Sequence, residues 1–120
     1  MDDEFEDLVA DALATLPREF RERLRNVDVI VQDEPTTEQM QLARVPRGHV
    51  LFGLYQGVPL TVRRGMTPLF PDRVIIFRGP LLRRYSDPEM IRFEVRHTVI
   101  HEIAHFFGIS DDRLRELGAY

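Results

Sequence analysis

Apolar side chains at Phe5, Leu8, Val9, Ala12, Leu13 and Leu16 recur at the three-and-four spacing of one helical stripe. Residues 3 to 16 therefore read as an amphipathic helix. Pro17 interrupts it, and Phe20 and Leu24 predict a further turn or two up to Arg25. The period then changes. Val27, Val29 and Val31 alternate with polar residues, as a half-buried strand does. Residues 34 to 49 carry the weakest pattern and predict a short helix flanked by loops. Val50–Tyr55 and Val58–Arg63 predict a hairpin that turns at Gln56 and Gly57, with Pro59 placing the second strand toward an edge. RVIIF, residues 73 to 77, is a further β-rich run and is expected at the centre of the sheet.

The last long element starts beyond Gly79 and Pro80. Asp87 suits an N-cap, Pro88 the first helical position, and Glu89 the positive end of the helix dipole. The helix is expected to run to Phe107 and stop at Gly108, which can take the left-handed conformation of a C-terminal cap. A short helix over Asp112–Leu117 closes the chain. Helices on one mixed sheet make an α/β (α+β) layer. At 120 residues, with no internal repeat, residues 1–120 are expected to form a single domain.

On that last helix lies HTVIHEIAHFFGISDD, residues 97 to 112. His101 and His105 are one turn apart and point the same way, so two neutral imidazoles can approach one cation. Glu102 lies about 100° around the helix, where it can reach a water held by the metal rather than the metal itself. That is the H-E-x-x-H arrangement of zinc peptidases, with the glutamate as general base. Gly108 and then Asp111 follow at three-residue steps, giving H-E-x-x-H-x-x-G-x-x-D. Three extended residues span about 10 Å, enough for the chain to double back toward the metal.

Only nine residues follow Asp111. No second long helix remains to deliver a distant glutamate, so Asp111, Asp112, Glu116 or an upstream residue must be the third ligand. Asp111 has the right offset, although an aspartate there also suits the start of the terminal helix. Val95, Val99, Ile100, Ile103, Ala104, Phe106 and Phe107 cover most of the helix circumference and predict a largely buried element. A single histidine in that setting is usually a hydrogen-bonded core residue. Two beside a glutamate are costly to bury without a partner, and a metal supplies one. His97 shares the face, but three successive turns cannot all approach one ion well. It is expected beside the ligands, as are Glu94, which can accept a ring N–H, and Asp112.

Composition removes other chemistries. There is no cysteine, which excludes disulfides and thiolate metal sites and agrees with a reducing cytoplasm. The acidic N-terminus lacks the basic start of a signal peptide, and no apolar run approaches membrane-spanning length. A cytoplasmic protein without membrane association is expected. The net charge of −4 argues against nucleic acid, although residues 63 to 84 hold Arg63, Arg64, Arg73, Arg78, Arg83 and Arg84 against Asp72 alone. The sequence does not specify an oligomeric state.

Three blocks carry a resemblance to a known family: GLYQGVPLTVR (53–63), RVIIFRGPLLR (73–83) and, most specifically, HTVIHEIAHFFGISDDRLRELG (97–118). Through them the chain resembles the short zincin-like metallopeptidases also called minimal metalloproteases. The resemblance implies a reduced zincin fold, with a backing helix, a small mixed sheet and an active-site helix. It implies zinc held by His101, His105 and Asp111, with Glu102 as the base. The motif is also similar to that of metzincins with aspartate for the third histidine. It departs from them in that all four methionines lie upstream of it.

The expected activity is hydrolysis of a peptide or protein substrate at a Zn2+ site. Glu102 takes the proton of the attacking water and delivers it to the leaving amine. Tyr55, Tyr85 and Tyr120 are candidate oxyanion donors, and VLFGLYQ is a candidate edge for an extended substrate. Two other readings remain open. A metal-dependent RNA-processing hydrolase has comparable spacing but glycine after the first histidine, where this chain has Glu102. A metal-stabilised binding module would need no catalysis at all.

Overall fold

A computed structural model describes residues 2–57 and 72–118. Its first helix, α1 (Asp2–Ala14), buries Phe5, Val9 and Ala12. Leu16 continues that stripe from the turn that follows, two residues beyond the helix itself. Pro17 then opens α2 (Arg18–Arg23), whose Phe20 is fully buried, and a single 3-10 turn leads into β1 (Val27–Gln32). The short helix expected between residues 34 and 49 is α3 (Thr37–Leu42). A capping box starts it: Thr36 Oγ1 accepts from the Gln39 amide while the Gln39 side chain accepts from the Thr36 amide.

Next comes β2 (Gly53–Gln56), shorter than the strand expected from Val50, and then β3 (Asp72–Phe77). The strand order is β1-β3-β2, with β3 parallel to β1 and antiparallel to β2, so RVIIF is central as its sequence predicts. The hairpin partner expected over Val58–Arg63 lies outside the described residues. Alternation along β3 serves both faces of the sheet. Val74 and Ile76 join the core beneath α1 and α5, while Ile75 and Phe77 pack with Leu54 on the other face, against Leu51 and Ala43.

One helix was not anticipated. Directly after β3 the chain forms α4 (Arg78–Arg84). Gly79 and Pro80 read as a break, yet a proline in the first helical turn has no intrahelical bond to lose. Leu81 and Pro80 are buried beneath it. The Gly79 amide donates to the Asp33 carbonyl at 2.8 Å, so the position after β3 is tied to the end of β1. A side chain at Gly79 would collide with the Glu34 carboxylate.

The long helix α5 (Pro88–Phe107) starts and stops where the sequence places it. Asp87 accepts from the Glu89 amide, and Gly108 takes φ 69. The Ile109 amide returns to the Ala104 carbonyl at 2.8 Å, closing the cap. Ile91, Val95, Val99, Ile100, Ile103 and Ala104 are buried against α1 and the sheet. Phe106 and Phe107, by contrast, are about two-fifths exposed, at 39% and 41%. The terminal helix α6 (Asp111–Glu116) begins one residue earlier than expected and anchors through the buried Leu114. No helix among the described residues is long and apolar enough to cross a membrane.

Candidate active site

Burying one stripe of α5 leaves two adjacent rows at helical spacing on its open side. His97, His101 and His105 form one; Glu94, Thr98, Glu102 and Phe106 form the other. The second row faces β2. Gly53 lets the two elements meet, because a Cβ there would lie 2.6 Å from Thr98 Cγ2 and 3.0 Å from the Ile75 carbonyl. One turn along, Glu102 Oε1 accepts a hydrogen bond from the Tyr55 backbone amide at 2.9 Å. Beyond it, the Phe106 ring stacks on Tyr55 with centroids 4.1 Å apart. Tyr55 is held from its other end, where its hydroxyl donates to Asp72 Oδ2 at 2.8 Å.

Glu102 is half-buried, and burial pushes its pKa above the ordinary carboxylate value; the Tyr55 amide and the His105 charge oppose that push. A base nearer neutrality is what proton transfer at cellular pH favours. His101 is shifted the other way. Burial lowers its pKa, helped by His97 and His105, while Asp111 and Glu94 pull it up. The outcome favours the neutral imidazole that a metal requires.

His101 is half-buried and His105 exposed, on one face of α5. Asp111 is exposed at the first position of α6. It does not cap that helix, since the Ser110 side chain accepts from the Arg113 amide instead. Its charge acts on His101, as the lifting effect on that imidazole records. Among the described residues, however, no three His, Asp or Glu side chains are gathered closely enough to hold an ion. The structure aligns the two histidines without drawing the aspartate fully against them.

The expected neighbours separate. His97 packs its ring 4.2 Å from that of His101, and its Nδ1 lies 3.2 Å from Glu94 Oε2. Glu94 thus contacts His97 directly and acts on the proposed ligand His101 through its charge. It also accepts from the Tyr85 hydroxyl at 2.9 Å and from Thr98 Oγ1 at 3.3 Å. Asp112 points elsewhere, to an ion pair with Arg115 at 3.2 Å. Of the tyrosine hydroxyls, Tyr55 serves Asp72 and Tyr85 serves Glu94, while Tyr120 lies outside the described residues. Two arginines of the basic stretch are matched with acid: Arg78 pairs with Asp33, and Arg83 grips Glu34 at 2.7 and 2.8 Å.

Sequence reasoning missed the Tyr55 amide, Gly53 and Thr98. Only the tight Gly-x-Tyr spacing in β2 hinted at them, and only once that strand is laid on α5.

The sequence model of the zincin-like metallopeptidase family matches residues 24–119. No curated protein matches the chain. Among solved structures, a conserved hypothetical protein from Thermus thermophilus is similar with TM-score 0.61 and 20% identity. The match covers 90% of this chain and 94% of that one. At that identity the likeness concerns fold alone, and it agrees with the layered α+β architecture.

Proposed function

Because the chain belongs to the zincin-like metallopeptidase family, we propose that it is a zinc-dependent peptidase with Glu102 as general base. The observation that carries this reading is the hydrogen bond from the Tyr55 amide to Glu102 Oε1 at 2.9 Å. It fixes one carboxylate oxygen against β2, and Glu102 shares a neighbouring cleft with His105, which supports this reading.

The residues present fit zinc by donor chemistry. His101 and His105 supply two imidazoles at the one-turn spacing that a tetrahedral ion accepts, and Asp111 supplies a carboxylate. Such a set keeps net positive charge, so zinc, when bound, supplies Lewis acidity toward a water and a peptide carbonyl. The chain's own residues do the rest. Glu102 accepts the proton of the attacking water and delivers it to the departing amine. The Tyr55 amide keeps the carboxylate from rotating away, and the Phe106–Tyr55 stack covers that side of it. The exposed His105 and Asp111 leave the opposite side open to an extended peptide.

The test is Glu102→Gln in zinc-loaded protein, assayed on an unstructured protein such as casein and on a peptide library. The amide keeps the shape and can still accept from Tyr55, but it cannot take the water's proton. Turnover should fall by about 10²–10⁴-fold with zinc content and fold intact. An activity of the parent that persists in Glu102→Gln would remove the general-base reading, and persistence on RNA would favour the RNA-processing alternative.

A further inference from the structure

A groove of about 460 Å³ runs between α1 and β1. Val9 and Leu13 of α1 line it with Val29 and Val31 of β1, and the exposed Glu6 adds a carboxylate. The central β3 separates β1 from β2, so this edge of the sheet is not the one that meets Glu102. Among the described residues β1 has one neighbouring strand, β3, and pairs with it in unbroken register from Val27 to Gln32. Native sheets guard such an edge with proline, bulges or lysine. VDVIVQ has no proline, no bulge and no basic residue, and its single charge is Asp28.

We infer that the β1 edge, with the groove beside it, docks an extended basic segment of a partner protein, which joins the sheet as a further strand. The site is independent of the peptidase reading. The β1 backbone supplies the hydrogen bonds of strand addition. Side chains of an added strand alternate between the two faces of the sheet. On the α1 face they meet Val29, Val31 and the groove, where apolar residues fit. On the other face they run beside the exposed Asp28, which alternation places with Ile30, and there a basic residue fits. Residues 2–11 hold six acidic groups and no basic one, so the α1 flank also attracts lysine or arginine. The same charges disfavour a second copy of this chain. Two β1 edges paired about a twofold axis would set two acidic α1 helices on one face of the joined sheet.

The experiment has two arms. In the first, the peptide acetyl-Lys-Val-Lys-Val-Lys-Val-amide is titrated into the full chain and followed by amide NMR shifts. The amides of Val27–Gln32, with those of Ala10 and Leu13, should move, and the Tyr55 amide should not. Replacing each lysine of the peptide by glutamate should weaken binding about tenfold or more. The Glu6→Lys, Asp28→Lys double variant should reverse that preference. Both positions are exposed, so the variant should fold, which circular dichroism checks. No movement along β1, or an unchanged preference in the double variant, overturns the inference.

Charge attraction alone would also favour lysine, so the second arm tests the backbone. Alternate residues of a strand direct their N–H groups to opposite edges. The same peptide is therefore made with methyl groups on every valine amide nitrogen or, separately, on every lysine amide nitrogen. One of the two should lose about tenfold or more in affinity, and the other should keep most of it. Equal affinities would mean that no strand is added. A dimer that forms with rising concentration, and shifts the β1 amides without peptide, would give the edge to a second copy instead.

Discussion

Two neighbouring rows of one helix are treated differently by the fold. The Glu102 row is clamped by another element: Thr98 abuts Gly53, Glu102 accepts from the Tyr55 amide, and Phe106 stacks on the Tyr55 ring. The side of the proposed ligands is more open. His105 and Asp111 are exposed, and among the described residues the third donor is not gathered with the other two. A base must be aimed before substrate arrives, because a misplaced proton acceptor slows every turnover. Metal ligands can be drawn together by the ion itself, since ligand binding stabilises whichever arrangement it favours. The difference predicts a base side that is intolerant of strand displacement and a ligand side that gains order on loading.

The largest effect should come from emptying the ligand row. Parent protein should carry close to one zinc per chain, and the His101→Ala, His105→Ala double variant almost none. Loss of outer partners alone changes metal affinity about 10–100-fold, so losing two direct ligands should exceed that range. Metal analysis after gel filtration reads the outcome, and equal zinc in the two proteins would abolish the ligand row.

Next in size is Gly53→Ala, which tests the clamped row. The new methyl would lie 2.6 Å from Thr98 Cγ2, closer than real contacts allow, and a tight 3.0 Å from the Ile75 carbonyl, so β2 or α5 must move. Overpacking of this kind costs about 1–3 kcal/mol, read from urea unfolding. Adding Thr98→Ser removes the clashing methyl, keeps a hydroxyl for Glu94, and should return part of the loss. Two independent, additive effects would mean that the Gly53–Thr98 approach does not hold the strand to the helix.

A smaller effect separates the adjacent aspartates. Asp111→Ala should weaken zinc binding about tenfold or more, while Asp112→Ala should stay close to the parent. Asp112 is spent on Arg115 and its side chain is 90% exposed, whereas Asp111 is left out of the α6 cap that Ser110 provides. Zinc titration against a competing chelator distinguishes them. A larger loss in Asp112→Ala would reassign the third ligand.

The same contrast explains what was legible in the sequence. The histidine row is a local signal: its spacing, the Asp87 cap, Pro88 and the Gly108 stop all act within a few residues, so α5 and its motif could be read directly. The Tyr55–Glu102 bond joins residues 47 apart, and it involves a backbone amide that no side-chain pattern reveals. Helix α4 was hidden for a related reason. Gly79 and Pro80 are poor helix residues by themselves, and what rewards the helix is the burial of Leu81 with the Gly79–Asp33 bond to the end of β1. Phe106 and Phe107 read as core because their periodicity continues the buried stripe. Near the end of α5 that stripe leaves the protein interior, and the rings pack on Tyr55 and beneath Arg23 instead.

The smallest expected effect concerns Glu102, the proposed base, in the absence of metal. Burial raises the Glu102 pKa above its ordinary value of 4.5, so the folded state holds that proton to higher pH than the unfolded chain does. Between the two pKa values the native state binds more protons, and stability falls as pH rises through that window. Above it the charged carboxylate imposes its full cost; below the ordinary value both states are protonated and the cost vanishes. Metal-free Glu102→Gln should therefore be more stable than metal-free parent at neutral pH, because the amide keeps the Tyr55 bond without the buried charge. The advantage should shrink on acidification and disappear below the ordinary carboxylate range. Thermal unfolding of both proteins in the presence of chelator, scanned from neutral to acidic pH, reads the difference. An advantage that is constant with pH would mean that charge burial is not its source, and a parent more stable at neutral pH would mean that the clamp favours the ionised base.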